Sequence, residues 1–292
     1  MFIFRKAKNT DIKKLRRLNL EKNSFNNLNK DFFSYYDKVN IFEKIFILKE
    51  LILLQDTLEK RIIGYLWIHK LDINNYKIKS IYIEKEYVEN NKIYDEFKKA
   101  LISNSSYVYT CEKNSFNNRV LEIIGFIKQE GFYEMSLDMK NIMPIKDVPY
   151  ISFEKFTVKK DEKIRCCIQN AIFENANRIP LTVEDIYYEE QEDYFYKDGC
   201  FFIKYKDTYI GYGQIIFEDL NEPYIVNFGI IPEFRNRGYA KQLLNFIVNT
   251  LYNEGFTKSY IKVSCDNDRA LSLYKKMNFL ITKENYIWKL TS

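Results

Sequence analysis

The sequence of 292 residues holds one histidine, five cysteines, five prolines and nine glycines. Each shortage excludes something. A single histidine cannot furnish a histidine-based catalytic triad or a multi-histidine metal site. In the strand-like run IIGYLWIHK, His69 reads as a packing or surface residue. The cysteines, Cys111, Cys166, Cys167, Cys200 and Cys265, are odd in number and form no C-x-x-C pair. That argues against a disulfide framework and a zinc site, so no metal is expected and a reducing cytoplasmic setting fits. No apolar run reaches membrane-span length, and MFIFRKAKNTDIKKLRRLNL lacks the continuous apolar core of a signal peptide. The 45 basic and 40 acidic residues are interleaved, without the Lys/Arg stripe of a nucleic-acid footprint. Neither a membrane nor a nucleic acid is expected as a partner.

What is abundant is apolar and aromatic: 46% hydrophobic residues and 17% aromatics, enough to build one large core or two ordinary ones. A faint internal repeat favours two. Ile63-Gly64-Tyr65 recurs as Ile210-Gly211-Tyr212, and at the same offset Glu86-Tyr87 recurs as Glu233-Phe234. A slightly larger offset superposes Asn114 on Asn267 and Gly125-Phe126 on Asn278-Phe279. The expected boundary is NIMPIKDVPYIS, where Pro144 and Pro149 interrupt regular structure, giving domains 1–145 and 150–292.

Periodicity in the second half predicts antiparallel strands CFFIKYK and TYIGYGQIIF joined at Lys206-Asp207, then a buried strand EPYIVNFGII ending at Pro232. Leu243, Leu244, Ile247, Val248 and Leu251 form one helical stripe, stopped at Gly255. A strand KSYIKVSC, a short helix from about Asp268 to Met277 and the strand-rich FLITKENYIWKL follow. The layout is α+β. Between buried strand and helix lies RNRGYA, Arg235 to Ala240, where a helix N-terminus offers unpaired N–H groups and partial positive charge to a pyrophosphate. Gly238 would permit close backbone approach, Ala240 would leave room, and Arg235 and Arg237 would add mobile charge.

In that position the R-x-x-G-x-[GA] pattern, followed by N-x-x-A-x-x-L-Y-x-x-x-N-F through Asn267, Ala270, Leu273, Tyr274 and Phe279, resembles the GCN5-related N-acetyltransferase (GNAT) family. Asn278 departs from the family's usual glycine. The resemblance covers about Ile151 to the end. It implies two tandem GNAT-like domains, each a mixed, largely antiparallel twisted sheet flanked by helices. It further implies that acetyl-CoA is the acyl donor, held by Ile230, Arg235, Asn236, Arg237, Gly238, Tyr239, Ala240 and Asn267, and that Tyr274 protonates the leaving thiolate. The first half carries VENNKI in place of RNRGYA and Leu121 in place of Tyr274, so a degenerate, non-binding copy is expected there.

The reaction needs a base for the acceptor amine, and Glu222, just outside the third strand, is the candidate. The acceptor is expected to be a small-molecule or peptide amine. The run of Glu184, Asp185, Glu189, Glu190, Glu192 and Asp193 either draws in a cationic one or is a solvated helix face. Two functions stay open: an N-acetyltransferase, or an acyl-CoA-binding sensor or interaction module without turnover. Oligomeric state is not legible.

Overall fold

In the computed structural model, which describes residues 1–141, 144, 148–175, 178–219 and 222–292, the elements run in two similar series. The first is β1 (Phe2–Lys6), α1 (Ile12–Leu20), α2 (Phe32–Tyr36), α3 (Ile41–Lys49), β2 (Leu51–Asp56), β3 (Arg61–Lys70), β4 (Asn75–Ile83), α4 (Asn91–Ala100), β5 (Ser106–Glu112), α5 (Ser115–Ile124) and β6 (Ile127–Asp138). The second is β7 (Ile151–Lys155), α6 (Glu162–Ile172), α7 (Val183–Glu189), β8 (Phe195–Tyr205), β9 (Thr208–Asp219), β10 (Glu222–Ile230), α8 (Tyr239–Asn253), β11 (Lys258–Ser264), α9 (Asp268–Lys276) and β12 (Leu280–Thr291). No helix among the described residues is long and apolar enough to cross a membrane.

These elements form two units, Met1–Phe132 with Lys283–Ser292, and Tyr133–Thr282. In the first the strand order is β1-β2-β3-β4-β5-β12, and in the second β7-β8-β9-β10-β11-β6. Four antiparallel strands open each sheet, and a parallel pair follows, β4 with β5 and β10 with β11. The repeat read from the sequence is visible in register: Gly64 opposes Ile83, and Gly211 opposes Ile230. Asn114 and Asn267 both cap helices, α5 and α9.

A cut between 145 and 150 does not separate the units, because each sheet is finished by the strand that ends the other series. Met135, Leu137 and Met139, which precede that cut, are buried in the core of the second unit beside Leu244, Ile261 and Phe279. Trp288 and Leu290, which follow it, are buried in the core of the first beside Tyr107, Val120 and Phe126. Sequence alone gives β6 and β12 as generic amphipathic strands and does not say which sheet each joins. Linker residues 142–143 and 145–147 lie outside the described residues.

The parallel pairs are where the units differ. In the first, the β4–β5 ladder covers Asn75–Ile78 and stops. Beyond it, two buried carboxamides replace the ladder. Asn29 accepts from the Ile81 N–H (3.2 Å) and donates to the Ile81 carbonyl (2.8 Å). Asn26 accepts from the Glu112 N–H (3.2 Å) and donates to the Thr110 carbonyl (2.9 Å). The Tyr109 hydroxyl joins them, donating to Asn29 (2.7 Å) and accepting from Asn26 (2.8 Å). Unpaired buried amides are costly, and this loop satisfies them.

The strand exchange gives the first testable outcome. Residues 133–282 expressed alone should show a cooperative thermal transition by circular dichroism, and residues 150–292 should not. The latter fragment loses three buried core side chains, each worth roughly 1.5–3 kcal/mol, and exposes Trp288. A cooperative transition in the 150–292 fragment would show that β6 is dispensable.

Candidate functional site

The second unit's site begins with a break in β10. Apolar Tyr224, Ile225 and Val226 run in register with β9, the register shifts, and the ladder resumes at Gly229. Asn227, at φ 51°, occupies the shift in the left-handed region, a conformation asparagine tolerates better than most residues. With β11, β10 pairs only at Tyr224 and Ile225. From Val226 onward the two strands run on without a ladder, which leaves an opening at the level where Asn26 and Asn29 fill the first unit. Phe228 packs within the unit core, its ring centroid 6.3 Å from that of Tyr274. Tyr274 lies on α9, 6% exposed, and burial alone raises its pKa, so the phenol keeps its proton at neutral pH.

Past Ile230 the chain turns through Pro232–Phe234 into α8. The Arg235 guanidinium folds back, Nε donating to the Ile230 carbonyl (2.9 Å) and Nη2 to the Ile172 carbonyl (2.7 Å). It therefore clamps the end of α6 to the end of β10 instead of supplying the mobile charge expected of it. Gly229 permits that packing: a Cβ there would sit 2.3 Å from Ile172. Arg237, over the Phe234 ring at 5.4 Å, is the loop's exposed cation. Asn236 and Gly238 are left-handed at φ 62° and 83°. Gly238 is the N-cap of α8 and gives it no side-chain cap, and a Cβ added there would meet nothing within 4 Å. The first helical bond runs from the Gln242 N–H to the Gly238 carbonyl, so the N–H groups of Tyr239, Ala240 and Lys241 precede it and face the loop end. Tyr239 packs against Tyr205, and Ala240 packs on the core. Among the expected donor-binding residues, Asn267 is placed as a helix cap, its side chain accepting from the Ala270 N–H at 3.1 Å.

In the first unit the corresponding helix start is closed. Asn90 caps α4 by accepting from the Lys92 N–H (3.2 Å), Glu89 pairs with Arg119, and Arg61 pairs with Glu84 and Glu86. Leu121, where Tyr274 stands in the second unit, is fully buried.

Behind the β10 break is a polar network that sequence reasoning missed. Arg165 of α6 is fully buried; its Nη2 donates to Glu189 and to Gln214 Oε1 (3.1 Å), and its Nε to Gln169 (3.0 Å). Gln214 donates to Glu189 (2.8 Å) and accepts from Asn227 (3.0 Å). The bulge residue is thus tied to α6 and α7 through hydrogen bonds that are buried at Arg165 and partly buried at Asn227 and Glu189. A signal existed: Arg165 and Gln169 stand at i,i+4 spacing on the face of α6 that also buries Ile172. The sequence presents Glu189 only as one member of an acidic run, of which Asp185 is spent as the Thr182 capping partner. Glu189, Val226 and Asn227 line a cavity of about 370 Å³. Glu222 does not reach it: five residues before Asn227 along a strand, it is about 17 Å away at ~3.3 Å per residue. His69, in the first unit, pairs with Glu50 at 2.7 Å. Among the described residues no cluster of three or more His, Cys, Asp or Glu side chains forms a metal site.

Residues 170–279 match the model of the acetyltransferase (GNAT) family. A stretch of 141 residues is 26% identical to a mycothiol acetyltransferase of Nocardiopsis dassonvillei, covering 44% of this chain and 42% of that protein. The chain therefore spans less than half of that relative. In fold it is similar to a GCN5-related N-acetyltransferase from Sphaerobacter thermophilus (TM-score 0.67, 15% identity, 99% of this chain and 95% of the other). It is similar also to a tandem GNAT protein from the clavulanic acid biosynthesis pathway (TM-score 0.58, 9% identity, 99% and 98%).

Beside the network, burial and the neighbouring Glu162 carboxylate lift the Glu190 pKa from 4.5 to about 6. The folded state then holds this proton more tightly than the unfolded chain. Its contribution to stability is present below pH 4.5 and lost as pH rises through about 6. Glu190→Gln should raise the melting temperature near neutral pH and leave it almost unchanged below pH 4.5. An equal shift at both pH values, read by scanning calorimetry, would assign the effect to packing.

Proposed function

Because residues 170–279 match the model of the acetyltransferase (GNAT) family, we propose that the chain moves an acetyl group from acetyl-CoA to a primary amine by direct attack, in the unit Tyr133–Thr282 alone. The observation that carries this reading is the pairing of an uncapped, open helix start at Gly238 with an unladdered strand end carrying Phe228 beside Tyr274.

The residues present fit acetyl-CoA as the donor substrate, which brings an activated thioester. The N–H groups at the start of α8, with the helix dipole and Arg237, would hold its pyrophosphate. A side chain at Gly238 would project into that space. The strand end from Val226 to Ile230 would hold the pantetheine arm, with backbone N–H groups at the bulge available to a developing oxyanion. Ile230 faces Gly211 as a non-hydrogen-bonded pair, the bond to β9 running from the Ile231 N–H to the Ile210 carbonyl, so the Ile230 N–H stays on the β11 side and the reading keeps it there beside Asn227 and Phe228. The amine nitrogen bonds to the carbonyl carbon as the carbon–sulfur bond breaks, and the amine gives up its proton toward solvent or a carboxylate. Tyr274 donates its phenolic proton to the departing sulfur and regains one from water.

The unit Met1–Phe132 with Lys283–Ser292 is read as a copy that does not bind the donor. Its strand opening is filled by Asn26 and Asn29, its helix start is capped by Asn90, and three glutamates stand nearby.

Two outcomes test the reading. Calorimetry should give one acetyl-CoA per full-length chain, abolished by Gly238→Glu; two equivalent sites would refute the silent copy. Tyr274→Phe should lower kcat by about 10²–10⁴ with acetyl-CoA affinity unchanged, because only the hydroxyl is lost. Wild-type turnover in that variant would leave Tyr274 a core residue. Tight acetyl-CoA binding without turnover on any amine would favour the sensor reading.

A further inference from the structure

The cavity at the β10 break carries two opposite charges, each with its own support. Glu189 is the carboxylate that lines it, and Arg178 the guanidinium. Arg165 and Gln214 hold Glu189 from behind, one on each oxygen, which fixes where its remaining acceptor positions point. Arg178 lies over the Phe173 ring at 4.8 Å and has no ion-pair partner among the described residues. The turn that follows it is pinned to α6 by Asn170, which donates to the Leu181 carbonyl and accepts from the Leu181 N–H, both at 2.8 Å. Arg178 also lines an adjoining cavity of about 300 Å³. Glu189 is therefore fixed from behind, while Arg178 is an exposed guanidinium resting on the Phe173 ring, at cavity volumes that suit a small guest.

Resting on the transferase reading above, we infer that the acceptor is a small amine that also carries an anion, of the amino-acid type, with its nitrogen received by Glu189 and its anion by Arg178. A purely cationic amine would meet the Arg178 charge at the mouth and be disfavoured by it. A bare amine would leave Arg178 without a partner. Glu189 meets the amine at the level of Asn227, where the acyl group is expected, and Glu222 does not. Arg165 acts as a positioning residue, directing Glu189 and, through Gln214, the bulge.

The full-length protein with acetyl-CoA should be assayed with glycine, β-alanine and γ-aminobutyrate against the matched amino alcohols and a diamine, and binding of the same amines measured by calorimetry. The best amino acid should exceed its matched alcohol by about tenfold or more in kcat/KM and in affinity. Arg178→Ala should erase that ratio through KM with kcat nearly unchanged, and Arg178→Lys should restore part of it. Glu189→Gln should lower kcat/KM for every amine and leave acetyl-CoA affinity intact. Because Glu189→Gln strips Arg165 of its countercharge, the pair Arg165→Met with Glu189→Gln keeps the interior neutral and should show the same loss if folding is preserved. Equal handling of acid and alcohol, a preferred diamine, or an unchanged ratio in Arg178→Ala would overturn the inference. The binding measurement needs no turnover. Preference for the amino acid without product would sink the transfer reading and keep the site, and product without preference would do the reverse.

Discussion

Everything proposed for the second unit depends on one local break, the point after Ile225 where β10 parts from β11 while its pairing with β9 slips at Asn227. A parallel pair that stayed laddered to its end would bury its amides and offer nothing. Here the slip releases a strand end, and three separate devices hold the released end in place. Asn227 is fixed by Gln214 and the buried Arg165–Glu189 pair, Phe228 by the aromatic contact with Tyr274, and Ile230 by the Arg235 clamp. Breaking a buried pair of this kind costs about 3–5 kcal/mol, so the bulge is not an easily deformed loop.

The first unit shows the same sheet with the opposite solution. Its parallel pair also stops early, yet the unladdered amides are met by two asparagine side chains from the chain between α1 and α2. A carboxamide carries both N–H donors and a carbonyl acceptor, as a peptide group does, so Asn26 and Asn29 each imitate a piece of backbone. The duplicated architecture thus contains one opening that is occupied from within and one that is not.

Much of this was legible in the sequence and the rest for physical reasons was not. The strands, α8 with its stripe and Gly255 stop, and the glycine pair at the repeat offset follow from periodicity and turn chemistry. Asn227 is a polar residue inside the apolar run YIVNFGI, the kind of interruption that a bulge leaves in a strand pattern. A charged side chain in a phosphate-loop pattern invites an electrostatic reading of Arg235, and its hydrogen bonds to two carbonyls are a tertiary fact that the sequence does not carry. Glu189 is chemically identical to its acidic neighbours until Arg165 is placed beside it. Strand exchange was invisible, since β6 and β12 carry the same kind of pattern and pairing depends on which sheet edge is reached.

That exchange sets an order of assembly. The unit Tyr133–Thr282 is one continuous stretch, so it can close as soon as Thr282 has been synthesised. The unit that begins at Met1 cannot: its sheet lacks an outer strand, and its core lacks Trp288 and Leu290, until Lys283–Ser292 arrives. The usual sequence in which the earlier half of a chain folds first is reversed, and the half made first waits, with Tyr107 and Phe126 uncovered, for the half made last.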